Sequence, residues 1–539
     1  MLFHTWPFAV FCLVVLPVFF ALRKTPLWIP WLGLASYFFY GWWNPYYLIL
    51  VVYSTLLDYT LVALMDHCSL DAVGDAGYGA RGATRPTSPF RFGDRVLLSA
   101  FLVSTVLTVL CLILALFGPG TLRPTMTLFI LICFMMALGA FLKSRKTWLI
   151  VSIVNNLALL IFFKYAGFGT ENLNLLFEKL HWAYRLPDPA TLMPLNFPYL
   201  LPVGISFFTF QSLSYTIDFY FGRCDRERNF LRFATFVCFF PQLMAGPIER
   251  AKHLLPQFRS FPAIRLANFT DGASLFLVGL FKKLALANYL SFYVERIYDN
   301  PSTHSASELA LATFAFAWQI FFDFSGYTDM ARGIAKVMGF HLILNFNNPY
   351  LATGLGDFWG RWHISLSSWF RDYVYFPLGG NRRGELITYR NLFITFLVSG
   401  IWHGAAWTFA IWGILHAVGV MITRALENSA FYRERVPKLL KQLATFTFVC
   451  FAWIFFRAST LQDALLICGR IFNATWTDPA IPALMLLLVF LVWLYQFAYE
   501  SPASEVLKFT PVRVGLAVAM VLYICICSSG AGSFIYFQF

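Results

Sequence analysis

Residues 391–420 read NLFITFLVSGIWHGAAWTFAIWGILHAVGV, a run apolar enough to cross a membrane that nevertheless carries His403 and His416. Small residues at 399–400 and 404–406 flank His403, leaving room there for a substrate or for another helix. Imidazole is the side chain whose charge changes near neutral pH, so it can take a hydroxyl proton and then release it. The pattern favours catalysis by His403 over a purely structural histidine.

His416 follows His403 by thirteen residues, which is about 220° of rotation on an ideal helix of 3.6 residues per turn. One straight helix therefore cannot direct both side chains to the same point. We expect His416 to have a different and lesser role.

Toward the N-terminus lies NFNNPYLATGLGDFWGRWHISLSSWFRDYVYFPLGGNRRG at 345–384. From Asp357, an N-cap type of residue, the pattern predicts an amphipathic helix with Trp359, His363, Leu366 and Phe370 on one face. A histidine on such a face is more often packed in the core than reactive, so both readings of His363 stay open. Three candidate substrate-binding residues lie in this stretch as well: Asn347, Arg361 and Trp362.

Further toward the N-terminus, the stretch WQIFFDFSGYTDMARGIAKVMG at 318–339 places Asp323, Asp329 and Arg332 in an apolar run. Such residues are functional candidates, because an unpaired charge in a membrane is costly. Asp329 and Arg332 are three apart and can pair on a helix, which is the simpler reading. Asp323 has no obvious local partner and is a further substrate-binding candidate, as is His416.

The composition of the whole chain indicates an integral membrane protein. Of its 539 residues, 59% are hydrophobic and only 12% charged, and the mean hydropathy is +0.65, which excludes a disordered chain and an ordinary cytosolic enzyme. The net charge of +13 comes without a basic-aromatic platform, so it indicates cytoplasmic loops and lipid head groups and not a nucleic-acid partner. The ten cysteines form no CxxC pair and no zinc spacing, so the sequence predicts no metal site.

The expected fold is an all-α, polytopic helical bundle of roughly 11–16 membrane segments, with bent or re-entrant helices around a central chamber. Clear predicted spans lie near 7–22, 27–43, 46–65, 96–117, 125–142, 147–163, 391–412, 441–456, 483–499 and 514–530. From about residue 190 the apolar runs shorten and are broken by Pro, Gly and polar residues.

Loop charges give an orientation. Arg23-Lys24, the polar stretch 66–95 and Arg145-Lys146 fall on one side of an alternating count, and an excess of Lys and Arg marks the cytoplasmic side. The N-terminus is then periplasmic. The first helix lacks a cleavage site of the signal-peptide kind, so we expect it to remain.

We expect one membrane domain over 1–539, with N-terminal transmembrane helices at 1–190, a catalytic core at 191–425 and C-terminal transmembrane helices at 426–539. The sequence contains no GxSxG elbow, P-loop or HExxH motif, and no internal repeat of the transporter kind.

Taken in chain order, the stretches at 318–339, 345–384 and 391–420 resemble the membrane-bound O-acyltransferase (MBOAT) family. Its hallmark is a His, Asn or Asp position followed about forty residues later by a histidine in a hydrophobic span. FWGRWH at 358–363 and SGIWHG at 399–404 match that pattern. Four further motifs are similar to the bacterial branch of the family that contains the alginate O-acetylation membrane protein: LPVGISFFTFQSLSY, PQLMAGPIER, GLFKKLALAN and RDYVYFPLGG. The teichoic-acid D-alanylation proteins are more distant relatives.

The resemblance implies His403 as the catalytic histidine, His363 as the second active-site position and His416 as a lesser site. Two positions depart from the family pattern: Gly360 stands where relatives usually carry Arg, and Ala417 where a Gly commonly follows the histidine. Neither departure touches His403 or His363.

The resemblance also implies an O-acyltransferase of the bacterial inner membrane without a bound cofactor. A cytoplasmic acyl thioester such as acetyl-CoA would be the co-substrate, and hydroxyls of an exported polysaccharide such as alginate the acceptor, reached directly or through a periplasmic SGNH-type partner. D-alanyl or lipid acyl transfer on the same scaffold is one alternative. Neighbouring genes for a D-alanine carrier would favour D-alanyl transfer. The other is a transporter that uses His403 and Asp323 to relay protons.

Overall fold

A computed structural model describes residues 1–72, 144–193, 199–473, 476 and 483–527, and these are the residues discussed below. All regular structure within them is helical, and they contain no β-strand. The predicted all-α class is confirmed. The predicted spans near 96–117 and 125–142, and the loop 66–95 from residue 73 onward, lie outside the described residues.

The α-helices of the described residues are numbered in chain order: α1 Trp6–Leu22, α2 Trp28–Gly41, α3 Leu48–Ala72, α4 Arg145–Lys179, α5 Ile205–Tyr220, α6 Phe230–Cys238, α7 Phe240–Leu243, α8 Ala251–Leu254, α9 Leu266–Phe281, α10 Asn288–Tyr298, α11 Ala306–Val337, α12 Leu355–Arg361, α13 Ile364–Phe370, α14 Glu385–His403, α15 Trp407–Asn428, α16 Ala430–Arg435, α17 Lys438–Arg457, α18 Leu461–Asn473, α19 Ala483–Tyr499, α20 Ser504–Lys508 and α21 Thr510–Cys527. Short 3₁₀ turns lie at Pro45–Tyr47, Pro189–Leu192, Leu255–Phe258, Pro301–Thr303 and Pro349–Leu351, and π-helical turns at Lys282–Ala287 and Arg371–Tyr375.

Six helical stretches among the described residues are long and apolar enough to cross a bilayer, which takes about 20 residues. They are Pro45–Cys68, Arg145–Lys179, Leu266–Tyr298, Ala306–Val337, Trp407–Asn428 and Lys438–Arg457. Helices α1, α19 and α21 are apolar but shorter. The total number of spans in the whole chain stays a prediction.

The chain divides into two compact units, one formed by residues 22–244 and 250–261 and the other by residues 1–21, 245–249 and 262–539. The predicted division into three parts along the sequence stays a prediction.

In the unit that contains residues 22–244, a buried carboxylate joins α3 to α4. Ser152 Oγ donates to Asp58 Oδ1 at 2.7 Å, and Asn156 Nδ2 lies 3.1 Å from both carboxylate oxygens. All three side chains are buried, so they act as polar contacts between membrane helices. The short helices α5–α8 confirm the predicted change to broken runs after residue 190.

In the unit that contains residues 262–539, α9 and α11 cross at glycine contacts. A Cβ on Gly272 would lie 2.7 Å from the carbonyl oxygen of Gly333, and a Cβ on Gly326 2.8 Å from that of Gly279. Real Cβ atoms do not approach this closely, so the crossing requires glycine at these positions. The π-helical turn then joins α9 to α10 directly, and it carries Lys282 and Lys283 into the interior of the unit.

Candidate active site

His363 lies at a break between two helices. Helix α12 ends at Arg361, and His363 has a left-handed backbone with φ 42° and ψ 54° before α13 begins at Ile364. The predicted single amphipathic helix from Asp357 is therefore wrong. The physical reason is a distant contact: the Ile364 N–H donates to the carbonyl oxygen of Asn345 at 2.9 Å, which fixes a new helix start.

The His363 ring is fully buried, and its Nδ1 lies 3.1 Å from Asn345 Oδ1. The same Oδ1 accepts the backbone N–H of Ser365 at 3.2 Å and the Ser365 hydroxyl at 2.9 Å. A backbone N–H can only donate, so this Asn345 atom is the oxygen and His363 Nδ1 carries the hydrogen. Neutral His363 therefore presents Nε2 as a hydrogen-bond acceptor. The ring of Phe324 packs against it edge-on at 4.7 Å.

His403 is the last residue of α14, and α15 begins only four residues later, at Trp407. The predicted single span near 391–412 is therefore wrong, because the chain reverses between two helices. A Cβ on Gly404 would overlap the ring of Phe409, and one on Gly413 would lie 2.5 Å from the Phe396 carbonyl oxygen. The small residues beside His403 thus make room for another helix.

The His403 side chain is buried among aromatic rings. Its ring centroid lies 5.0 Å from that of Trp402, 5.0 Å from that of Trp412 and 5.3 Å from that of Phe456. Of the two possibilities predicted for the room beside the small residues, a substrate or another helix, the structure shows the helix α15, and the imidazole itself packs against aromatic rings.

His416 lies beside the same tryptophan, Trp412, as His403 does. The Trp412 ring centroid is 5.0 Å from that of His403 and 4.6 Å from that of His416. A rotation of about 220° along one helix does not separate the two side chains, because His403 and His416 belong to two helices. Trp359 and Phe448 also enclose His416 at 5.0 and 5.9 Å, and no group in the described part of the chain hydrogen-bonds to either of its ring nitrogens.

Trp402 joins the two principal histidines. Its ring centroid lies 6.4 Å from that of His363 and 5.0 Å from that of His403, so the two imidazole centroids are at most about 11 Å apart. Residues forty apart in the sequence thus meet in one region of the same unit.

A cavity of about 250 Å³ adjoins this region. Trp359, which contacts His416, and Phe370, which lies 6.3 Å from Trp402, form part of its wall. The lining is mostly apolar, with hydroxyls from Ser367, Thr395, Ser399 and Tyr375 and the guanidinium of Arg371.

Asp323 forms a buried ion pair with a residue forty positions away. Lys283 Nζ lies 2.6 Å from Asp323 Oδ1, and the two side chains are 3% and 2% exposed. The expected pairing of Asp329 with Arg332 is confirmed at 3.5 Å, and Lys282 Nζ approaches Asp329 more closely, at 2.7 Å. These carboxylates are therefore engaged with cations of the fold.

Arg361 and Trp362, two other candidate substrate-binding residues, lie where helix α12 ends, and Asn347 contacts this helix end. Arg361 pairs with Asp357 at 2.7 Å and with Glu500 at 2.9 Å, and its carbonyl oxygen accepts the N–H of the exposed Asn347 at 2.9 Å. Trp362 is buried in the aromatic core, 5.0 Å from Phe346. No substrate role for these residues follows from their contacts.

Sequence reasoning missed Asn345, Ser365 and the aromatic ring of Phe456. Ser365 stands two residues from His363, which is a local signal, but Asn345 precedes His363 by eighteen residues and Phe456 follows His403 by fifty-three. Asn345 and His363 do not share a helix, and neither do His403 and Phe456, so no helical period connects the partners.

Comparison with known proteins gives the same assignment as the motifs. The model of the membrane-bound O-acyltransferase family matches residues 197–464, which include both principal histidines. The probable alginate O-acetylase of Pseudomonas aeruginosa is 41% identical over 343 residues, covering 63% of each chain. The peptidoglycan O-acetyltransferase of Helicobacter pylori is 39% identical over 352 residues, covering 60% of this chain and 64% of the relative.

A more distant relative is the teichoic acid D-alanyltransferase of Bacillus subtilis, 29% identical over 272 residues, with 47% of this chain and 68% of the relative covered. The chain spans 62–67% of the length of the alginate and peptidoglycan O-acetylase relatives that it matches over 339 residues or more.

Proposed function

The chain is a multi-pass membrane protein of the membrane-bound O-acyltransferase family, and on that premise we propose that it transfers acetyl groups to hydroxyls of an exported polysaccharide such as alginate. The donor is a cytoplasmic thioester, acetyl-CoA in our proposal, and the acetyl group passes to the polysaccharide directly or through a periplasmic SGNH-type partner. The observation that carries this proposal is the meeting of two buried histidines at one tryptophan beside a mostly apolar cavity.

In the proposed reaction His403 is the general base. Its imidazole takes the proton of the attacking hydroxyl while the hydroxyl oxygen bonds to the thioester carbonyl carbon. The tetrahedral intermediate then collapses, the carbon–sulfur bond breaks, and the imidazolium returns the proton to the thiolate. A histidine buried among aromatic rings suits this step, because the rings shield the thioester from competing hydrolysis by water.

His363 is the orienting residue in this proposal. Its Nδ1 hydrogen is engaged by Asn345, so neutral His363 offers Nε2 as an acceptor and cannot donate to the thioester carbonyl. A hydroxyl has a single proton, so the two histidines do not both accept from the attacking group. We assign that proton to His403 and a neighbouring O–H of the sugar acceptor to His363.

The cavity lined by Trp359, which contacts His416, and by Phe370, which contacts Trp402, is our candidate for the acyl group. Its walls at Trp359, Leu366 and Phe396 are apolar, as an acetyl methyl group requires. The relation to the D-alanyltransferase of Bacillus subtilis makes D-alanyl transfer the second candidate, and the higher identity to the O-acetylases favours acetyl transfer.

The test uses the full-length protein in proteoliposomes with radiolabelled acetyl-CoA and, in parallel, with a D-alanyl carrier thioester. Label should move from acetyl-CoA to alginate, or to a co-reconstituted periplasmic partner, and His403→Gln should abolish the transfer. The exposed His181, changed to Gln, is the control for loss of a histidine. Transfer from the D-alanyl carrier alone, or equal acetyl transfer by His403→Gln, would refute the proposal.

A further inference from the structure

A second cavity, of about 400 Å³, lies in the unit that contains residues 22–244 and 250–261. Its apolar wall includes Pro26, Trp28 and Phe258, and its charged wall is formed by Arg232 and Arg259. We call it the Arg232/Arg259 pocket. Its volume falls in the range of about 300–1,000 Å³ that is usual for small-molecule sites.

A buried carboxylate positions the two arginines. Glu227 is 3% exposed and lies 3.5 Å from Arg232 Nη1 through one oxygen and 3.3 Å from Arg259 Nε through the other. Its Oε1 also accepts the backbone N–H of Asn229 at 3.0 Å, so the carboxylate itself is held in place. The arginines are therefore ordered before any ligand arrives.

The pocket keeps an unneutralised positive charge. Two guanidinium groups share one carboxylate, and within the described residues Glu227 is the only acceptor that either guanidinium contacts. The side chains of Arg232 and Arg259 remain 34% and 43% exposed, so their other N–H groups can reach a ligand. Two converging guanidinium groups match the oxygens of a phosphate.

Some residues that line the pocket stand where the sequence changes from basic to apolar, as it does at the boundary of a membrane. Pro26 follows the basic pair Arg23-Lys24, and Trp28 is the first residue of the apolar helix α2. Basic residues mark the side of a membrane that faces anionic lipid. Leu231 and Phe261, which also line the pocket, are 49% and 56% exposed although they are apolar.

We propose that the Arg232/Arg259 pocket binds the phosphodiester of an anionic phospholipid. The guanidinium groups hold the phosphate oxygens, and the exposed apolar side chains of Pro26, Leu231 and Phe261 pack against the glycerol and the first carbons of the acyl chains. A phospholipid can contact both the charged groups and the exposed apolar side chains of the pocket, whereas a free phosphate has no apolar part to contact them. The site is separate from the proposed chemistry, and its test does not depend on transfer activity.

The test measures lipid binding by the delipidated full-length protein in detergent, by native mass spectrometry with phosphatidylglycerol and with phosphatidylcholine. Phosphatidylglycerol should bind preferentially, and Arg232→Gln with Arg259→Gln should weaken it at least about tenfold, because hydrogen bonds to charged groups are lost. A control removes the same charge elsewhere, as Arg185→Gln with Arg433→Gln, and should leave binding unchanged.

The double variant also takes both partners from the buried Glu227, so a second variant leaves those ion pairs intact. Ser260→Trp places a large ring at the pocket lining and should block the lipid with thermal unfolding unchanged. Equal phosphatidylglycerol binding by wild type, the double variant and Ser260→Trp would overturn the proposal. Displacement of the lipid by acetyl-CoA or inorganic phosphate at equal concentration would overturn the lipid as the ligand.

Discussion

Removing Lys283 alone, as Lys283→Met, should destabilise the protein strongly, because it leaves the Asp323 carboxylate buried without its ammonium partner. The two charges lie 2.6 Å apart with side chains 3% and 2% exposed, so solvent cannot replace either of them. Breaking a buried pair from one side typically costs about 3–5 kcal/mol. Asp323→Leu should cost a similar amount for the same reason.

Removing both charges together, as Lys283→Met with Asp323→Leu, should restore most of the stability. Replacing a whole buried pair by apolar residues is often neutral, or stabilising by about 1–4 kcal/mol. The matched control is the surface pair of Arg185 with Glu178, at 3.4 Å with side chains 71% and 65% exposed. Arg185→Met should change the free energy of unfolding by less than about 1 kcal/mol.

The assay is unfolding by denaturing detergent in mixed micelles, followed by tryptophan fluorescence, with acetyl transfer measured on the same preparations. A double variant as unstable as either single variant would show that Lys283 and Asp323 do not act as a pair. A stable double variant that is active would place Asp323 outside the chemistry, and a stable but inactive one would support its predicted substrate-binding role.

Three further predictions concern the histidines and the topology. His363→Asn should retain measurable transfer, while His363→Ala and His363→Leu should lose most of it. The same substitutions at His181, which also has a left-handed backbone but is exposed, control for the backbone cost of each change. Full activity in His363→Leu would show that His363 only packs. His403→Gln should lower the rate by about 10²–10⁴-fold and His416→Gln by less, as measured by transfer kinetics, and the opposite ranking would reassign the base. Single cysteines in loop 66–95 should resist an impermeant thiol reagent in intact cells, and ready labelling would invert the proposed orientation.

The sequence predicts the fold class well because composition alone requires it. Helices such as α3, α4 and α17 follow from the length of their apolar runs. The breaks at His363 and at Gly404 do not follow, because the first depends on Asn345 and the second on the Phe409 ring. Both breaks are set by contacts that a window of local sequence does not contain.

In the candidate site, too, the sequence indicates the residues that stand out locally but not their distant partners. His363 and His403 stand out because a polar side chain in an apolar run is visible locally. The Asn345 oxygen that fixes the His363 tautomer, and the Lys283 ammonium that pairs with Asp323, are eighteen and forty residues away. Neither pair lies within one helix, so no helical period relates the partners, and only the folded structure identifies them.

The left-handed backbone at His363 also limits which residues mutation can supply at this position. A φ of 42° suits few side chains with a Cβ, and His, Asn and Asp are the ones enriched there. These are the same three residues that the family resemblance implies for this position. Their codons differ only in the first base, so a lineage can exchange one for another by a single nucleotide change without passing through a residue that the backbone excludes. We therefore expect this position to be explored readily in evolution among three chemistries, while the turn that presents them stays the same.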